Sequence, residues 1–344
     1  MSDRAAIRVA VVADTSLQRH ILQQFLLKNG FHVVLNSAPQ QLAVTRLEDC
    51  ATDIWLYDAL CCNDAEYELL DYLLSAANAP VLFGEGVAPE RGSEDYPRWE
   101  RSLLKKIAQL TRHLARNNAQ QTDVKRAADQ ACSSPIELPQ YFVKNPPATE
   151  EPAQQVWLLA ASLGGPQAVK AFLDALPHGL PLGFIYAQHI DAHFEERLPQ
   201  AVGRHSQWTV RLVREGDFVR AGEVVVAPIE HELRFADNSQ LQLLPTPWPG
   251  LYNPSIEQMM RNLAQHFGSA CGVIVFSGMG DDGSQAVAYM QRQGAQVWAQ
   301  SAASCACSSM PDSVRATGTS ILSSSPQGLA YELVHYLLNK RTHA

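Results

Sequence analysis

The 344-residue chain reads as α/β throughout, with a smaller N-terminal doubly wound parallel sheet, a linker, and a larger α/β domain carrying a mainly parallel sheet. Three observations predict this. Short apolar runs rich in β-branched residues alternate with segments of helical apolar spacing, the pattern of βα units around a parallel sheet. Two such runs, Leu158–Ala161 and Ile274–Phe276, stop abruptly in glycine-containing turns that lead into helical patterns. Between the two α/β regions lies a polar stretch, residues 116–152, interrupted by Pro135, Pro139, Pro146, Pro147 and Pro152. The expected boundaries are therefore 1–115, a linker over 116–152, and 153–344.

The elements follow in order. Ile7–Val12 is a strand, and Ala13-Asp14-Thr15-Ser16 breaks it and caps a helix. That helix is marked by Leu17, Ile21, Leu22, Phe25 and Leu26, and Asn29-Gly30 stops it. Phe31–Leu35 reads as strand, Gln40–Leu47 as helix, Ile54–Asp58 as strand, Tyr67–Ala76 as helix and Pro80–Gly84 as strand. A helix over Trp99–Leu114 buries Leu103, Leu104, Ile107 and Leu110. Within the linker, the Ile136–Val143 patch is apolar enough to dock on a domain. Beyond it come strand Val156–Ala161, a helix opening at Pro166, and strand Phe184–Ala187. Short strands fill 209–244, including Glu223–Ala227 and Leu241–Leu244. Helix Ile256–Phe267, strand Val273–Phe276, helix Ser284–Arg292, strand Gln296–Ala299 and a final helix from Ser325-Pro326 complete the chain.

Composition narrows the function classes. Hydrophobic residues make up 46% and charged residues 18%, as in globular domains with real cores. The formal charge is −8 and evenly spread, without the basic patch that a nucleic-acid partner requires. No signal peptide or apolar segment of spanning length is apparent, so a cytoplasmic protein without membrane insertion is expected. Seven cysteines show no metal-ligand spacing and read as free thiols.

The chemistry sits at strand ends. In an open parallel sheet, residues just past the carboxyl ends of the strands share one crevice. Ser162, His189 and Asp282 each follow an apolar strand, and together they supply the side chains of serine acyl transfer. A serine hydroxyl needs a neighbouring imidazole to accept its proton. Taken singly, Ser162 also suits a helix cap or a phosphate-binding turn, His189 a structural histidine, and Asp281-Asp282 a capping pair. Gly164 and Gly165 permit a tight turn whose N–H groups, beside a helix start, suit an oxyanion. The order Ser…His…Asp, with Ala160 two residues before the serine, disfavours an ordinary α/β-hydrolase elbow.

Residues from about 153 to 340 resemble the catalytic domain of the chemotaxis receptor protein-glutamate methylesterases. Ala160-Ala161-Ser162-Leu163-Gly164-Gly165 corresponds to that family's G-A-S-T-G-G segment, and Gln188-His189 to its strand ending in Gln-His. Ser277-Gly278-Met279-Gly280-Asp281-Asp282-Gly283 corresponds to its T-G-M-G-x-D-G loop. Ala227-Pro228, Pro254-Ser255, Ala299-Gln300, Ser304-Cys305 and Met310-Pro311 match as well. The resemblance implies Ser162 as nucleophile, His189 as base and Asp282 as the orienting acid. Leu163, Gly164, Gly165 and Met279 would surround the oxyanion. Leu163 stands where the family has threonine, Ala160 replaces its first glycine, and the segment after His189 is short.

Residues 7–114 resemble a response-regulator receiver, the partner domain in that family. Asp58 stands at the phosphoacceptor position, but only Asp14 remains of the acidic pair that holds Mg²⁺. Ala13 replaces its neighbour, Gly84 the hydroxyl residue, and no Lys-Pro follows. One lost carboxylate weakens a Mg²⁺ site, and a phosphoryl group would lack charge neutralisation. Two expectations follow, phosphorylation of Asp58 or a docking domain without the switch. By the resemblance, the chain hydrolyses glutamyl methyl esters on chemoreceptors, and deamidates glutamines, without a catalytic cofactor. The pathway's histidine kinase is the expected second partner. The rival reading is a non-catalytic receptor-binding protein of the same pathway.

Overall fold

The computed structural model describes residues 6–42, 47, 50–77, 79–120, 135–148, 151–318 and 321–342, with 116–120 and 341–342 by backbone alone. The chain divides into two compact units, Met1–Arg116 and Asn117–Ala344.

The first unit contains β1 (Arg8–Ala13), β2 (His32–Ser37), β3 (Ile54–Asp58) and β4 (Val81–Phe83) in the order β2-β1-β3-β4, every pairing parallel. Helix Ser16–Lys28 starts where predicted because the Thr15 hydroxyl accepts from Gln18 N at 3.1 Å. Asn63 caps helix Asp64–Ser75 in the same way. Helix Tyr96–Gln120 runs past residue 116, into the stretch expected to be linker. Of the helix expected over Gln40–Leu47, a single 3₁₀ turn at Pro39–Gln41 is described; residues 43–46 lie outside the described ones.

The second unit is built on seven strands: β5 (Val156–Ala161), β6 (Gly183–Gln188), β7 (Thr209–Leu212), β8 (Glu223–Val226), β11 (Cys271–Val275), β12 (Gln296–Gln300) and β13 (Leu322–Ser324). Their order is β13-β12-β11-β5-β6-β8-β7, with every pairing parallel. A separate antiparallel pair joins β9 (Leu233–Phe235) and β10 (Leu241–Leu243). The chain winds from β5 through β6 on one side and from β11 through β12 to β13 on the other. The direction of winding therefore reverses between β5 and β11, which opens a crevice at their carboxyl ends.

Both faces of the central strands are buried, which explains why their sequences are continuously apolar. Val156, Leu158 and Ala160 share a core with Met259, Met260 and Leu263 of helix Ile256–Phe267. On the other face, Trp157 packs edge-on against Trp298 and Tyr336, and Phe172 against Phe184 and Phe276. Part of the proline-rich segment is ordered onto this unit: helix Gln140–Lys144 buries Phe142, and Pro152 bridges to Arg220. Residues 121–134 and 149–150 of that segment lie outside the described residues.

Candidate active site

Ser162 follows β5, His189 follows β6, and Asp282 lies on the loop after β11. Since β11, β5 and β6 are neighbours in the sheet, the three residues share one edge of it, at the reversal of winding. Backbone bonds knit the strand ends together: Ser162 N donates to Ser277 O at 3.0 Å, and His189 N to Ala161 O at 3.0 Å.

The serine lies in a turn of restricted space. Gly164 has φ +74 and leads into helix Gly165–Ala175. A Cβ on Gly165 would overlap Gln188 Oε1 and sit 2.6 Å from Ala161 Cβ, so the helix can start this close to the strand only with glycine there. The N–H of Gly165 is already used, donating to Ser162 O at 2.9 Å, which removes it from the expected oxyanion donors. Among the described residues, the N–H groups of Leu163, Gly164 and Met279 have no acceptor. Gly278 brings the Met279 loop against the serine, since a Cβ there would fall 3.0 Å from Ser162 Cβ.

Asp282 is buried, 5% exposed, and takes three hydrogen bonds. His189 Nε2 lies 3.0 Å from Oδ2, Ile256 N donates to the same oxygen at 2.8 Å, and Glu257 N donates to Oδ1 at 2.9 Å. The carboxylate therefore completes the first turn of helix Ile256–Phe267, where two otherwise orphaned N–H groups and the helix dipole favour negative charge. Because that carboxylate occupies Nε2, the imidazole nitrogen left for a proton from Ser162 is Nδ1. The Ser162 hydroxyl, 8% exposed for the residue, makes no hydrogen bond to His189 in this structure.

Several supporting residues carry no role in the sequence reading. Gln188, 3% exposed, donates to Ser162 O at 2.8 Å and His189 O at 3.0 Å, and accepts from Tyr186 Oη at 2.8 Å. It ties the Ser162 turn to the His189 backbone. Ser277 Oγ donates to Leu163 O at 2.7 Å and accepts from Cys307 N at 3.0 Å, while Gln300 Oε1 accepts from Ser277 N at 2.8 Å. Tyr252 stacks on His189. The available signal for Gln188 and Gln300 was a polar side chain ending an otherwise apolar strand; Tyr252 gave none.

In the first unit, Asp58 ends β3 and is 7% exposed. Gln18 Nε2 donates to Asp58 Oδ2 and to Gly86 O at 3.1 Å, and Gln18 Oε1 accepts from Ala88 N at 3.0 Å. A Cβ on Gly84 would overlap Asp58 Oδ1. Asp14 Oδ2 is engaged by Leu60 N at 2.7 Å. A hard dication wants about six oxygen ligands. Here one carboxylate faces an amide N–H, the other a backbone N–H, and Ala13 supplies no oxygen-bearing side chain, so the residues do not fit Mg²⁺. Among the described residues no group of three His, Cys, Asp or Glu is placed to hold a metal ion, six cysteines are free thiols, and no helix is long and apolar enough to cross a membrane. Cys132 lies outside the described residues.

The chain is similar to known proteins. The chain is 33% identical over 195 residues to protein-glutamate methylesterase/protein-glutamine glutaminase 3 of Anaeromyxobacter dehalogenans, covering 56% of this chain and 57% of that protein. It is 35% identical over 173 residues to protein-glutamate methylesterase/protein-glutamine glutaminase 2 of Cupriavidus metallidurans, covering 50% and 51%. It thus spans about half the length of the curated relatives it matches. The crystal structure of the Thermotoga maritima CheB methylesterase catalytic domain aligns with 54% of this chain and 97% of its own, at 23% identity and a TM-score of 0.48. The CheB methylesterase family model matches residues 157–333, which span all three strand-end residues, and the chain belongs to that family.

Proposed function

We propose that the chain is a protein-glutamate methylesterase acting on the helical cytoplasmic part of methylated chemoreceptors. The observation that carries this reading is the meeting of residues 162, 189 and 282 at one sheet edge, with the His189–Asp282 bond formed. Asp282 accepts a hydrogen bond from Nε2–H, which leaves the Nδ1 lone pair as base. Ser162 Oγ attacks the γ-carbonyl carbon of the glutamyl ester while its proton passes to Nδ1. The oxyanion lies against the uncommitted N–H groups of Leu163 and Met279, with Gly164 in support. Collapse of this intermediate breaks the bond to methoxide, which leaves as methanol with the proton from Nδ1. Water then attacks the acyl-enzyme, losing a proton to Nδ1; the bond to Ser162 Oγ breaks, the serine recovers that proton, and the receptor's glutamate side chain is released as a carboxylate. Glutamine is processed in the same steps with ammonia as leaving group. The absence of a Ser162–His189 hydrogen bond suits such a site, because nucleophile–base bonds commonly close only as substrate seats. No step calls for a metal or organic cofactor.

The first unit acts as a docking unit in this reading, with the pathway's histidine kinase as its expected partner. Supporting it, Gln18 and Gly84 enclose both oxygens of Asp58, and the Mg²⁺ ligands are incomplete. Acetyl phosphate with Mg²⁺ is expected to add no mass; a stable adduct on Asp58 would reverse this assignment. For the activity, methanol release from methylated receptor is expected to vanish in Ser162→Ala. Unchanged release would return the chain to a receptor-binding protein without catalysis.

A further inference from the structure

The base is held by more than its carboxylate. Tyr252, on the loop between β10 and helix Ile256–Phe267, lays its ring flat on His189, with centroids 5.1 Å apart and planes 6° from parallel. Its hydroxyl donates to Asp281 Oδ1 at 3.2 Å. A Cβ on Gly280, where φ is +101, would come within 2.9 Å of that hydroxyl, so the aspartate loop and the tyrosine are closely fitted. The tyrosine does not belong to the core: it is only partly buried, and its neighbour Leu251 is 96% exposed.

An imidazole fixed at Cβ and at Nε2 can still rock about the line joining those two points. That rocking swings Nδ1 toward or away from the serine, and the Asp282 bond does little to oppose it. A ring stacked on one imidazole face does oppose it. We propose that Tyr252 is a positioning residue for His189, setting the plane of the ring, and that Asp281 holds Tyr252 in place. The consecutive aspartates then divide two tasks, Asp282 directing the ring's edge and Asp281, through Tyr252, its face. The inference rests on the reading of His189 as the base.

The test uses the full chain, methylated receptor, and the variants Tyr252→Ala, Tyr252→Phe and Asp281→Asn. Offset aromatic stacking contributes enough that Tyr252→Ala should lower kcat by about three- to tenfold. KM should stay the same. Tyr252→Phe, which keeps the ring and loses only the tether, should recover most of kcat, and Asp281→Asn, whose amide oxygen can still accept from the Tyr252 hydroxyl, should fall between Tyr252→Phe and the wild type. A second readout is independent of turnover: the NMR resonance of the His189 Nε2–H should exchange faster in Tyr252→Ala and be retained in Tyr252→Phe. Unchanged kcat in Tyr252→Ala, or a change confined to KM, would overturn the proposal, as would an Nε2–H resonance indifferent to Tyr252. If Ser162→Ala still releases methanol, the hydrolytic reading fails by itself, and the Nε2–H resonance decides the role of Tyr252.

Discussion

Replacing Asp282 by alanine should cost stability as well as activity, because the carboxylate is an acceptor for the helix as much as for the histidine. Its side chain satisfies Ile256 N at 2.8 Å and Glu257 N at 2.9 Å. The Ile256 bond is buried and the Glu257 bond partly buried; a buried donor left without a partner costs about 1–3 kcal/mol and the partly buried one about 1 kcal/mol, so the pair amounts to roughly 2–4 kcal/mol. For a unit of this size, each kcal/mol shifts the melting temperature by about 2–4 °C. The second unit should therefore melt roughly 4–16 °C lower in Asp282→Ala. Asparagine allows a sharper comparison. Its carbonyl can keep Ile256 N and His189 Nε2 on the side of Oδ2, leaving its amide group facing only Glu257 N. The cost should then be near that of the one partly buried bond, about 1 kcal/mol. The assay is calorimetric melting of both variants beside methanol release from methylated receptor. If Asp282→Ala loses turnover but melts with the wild type, the helix-capping argument is wrong and the carboxylate serves only the imidazole.

Three further outcomes are expected. Gly165→Ala should displace the Ser162 turn, because the added methyl overlaps Gln188 Oε1 and crowds Ala161; about 1–3 kcal/mol of destabilisation and loss of turnover would appear together in melting and ester hydrolysis. In the first unit, Gly84→Ala should push Asp58 off Gln18, lowering that unit's urea midpoint and leaving the second unit's transition in place. Acid should weaken the Arg8–Asp53 pair, whose 2.8 Å hydrogen bond holds the Asp53 carboxyl below the ordinary carboxylate range. The folded state then binds protons less readily than the unfolded chain, so this contribution is present above that range and is lost as pH falls through the folded value. Asp53→Asn should lower the urea midpoint near neutral pH by a small amount, since both partners are partly exposed, and the difference from wild type should close as pH falls below the carboxylate range.

Much of the second unit could be read along the chain. Leu158–Ala161, Phe184–Ala187 and Val273–Phe276 announce strands because they are buried on both faces and need no polar alternation. Helix Ile256–Phe267 has the expected bounds, and Ser255 caps it, its hydroxyl accepting from Gln258 N at 3.2 Å. The weaker readings fell where local patterns were poor. Tyr96–Gln120 continues into the polar stretch because nothing at residue 116 stops a helix. Helix Gln140–Lys144 is fixed by burial of Phe142, a tertiary event. The glycines around Ser162 were visible as a turn, but Gly165 proved to be a spacer rather than a donor, since its N–H is spent on Ser162 O.

By itself the sequence determined the α/β class, the strand ends that bear Ser162, His189 and Asp282, and the residue types needed for acyl transfer, because burial patterns and turn chemistry are written locally. Only the tertiary structure decided that β11, β5 and β6 are neighbours, which puts those three ends in one crevice. It also decided which imidazole nitrogen meets the carboxylate, that Asp282 caps the first turn of a helix beginning more than 20 residues upstream, that Tyr252 stacks on His189, and that Gln18 takes hold of Asp58 from 40 residues away. Contacts between residues so far apart depend on strand order and on the shape of the crevice, and neither leaves a periodic trace in the chain.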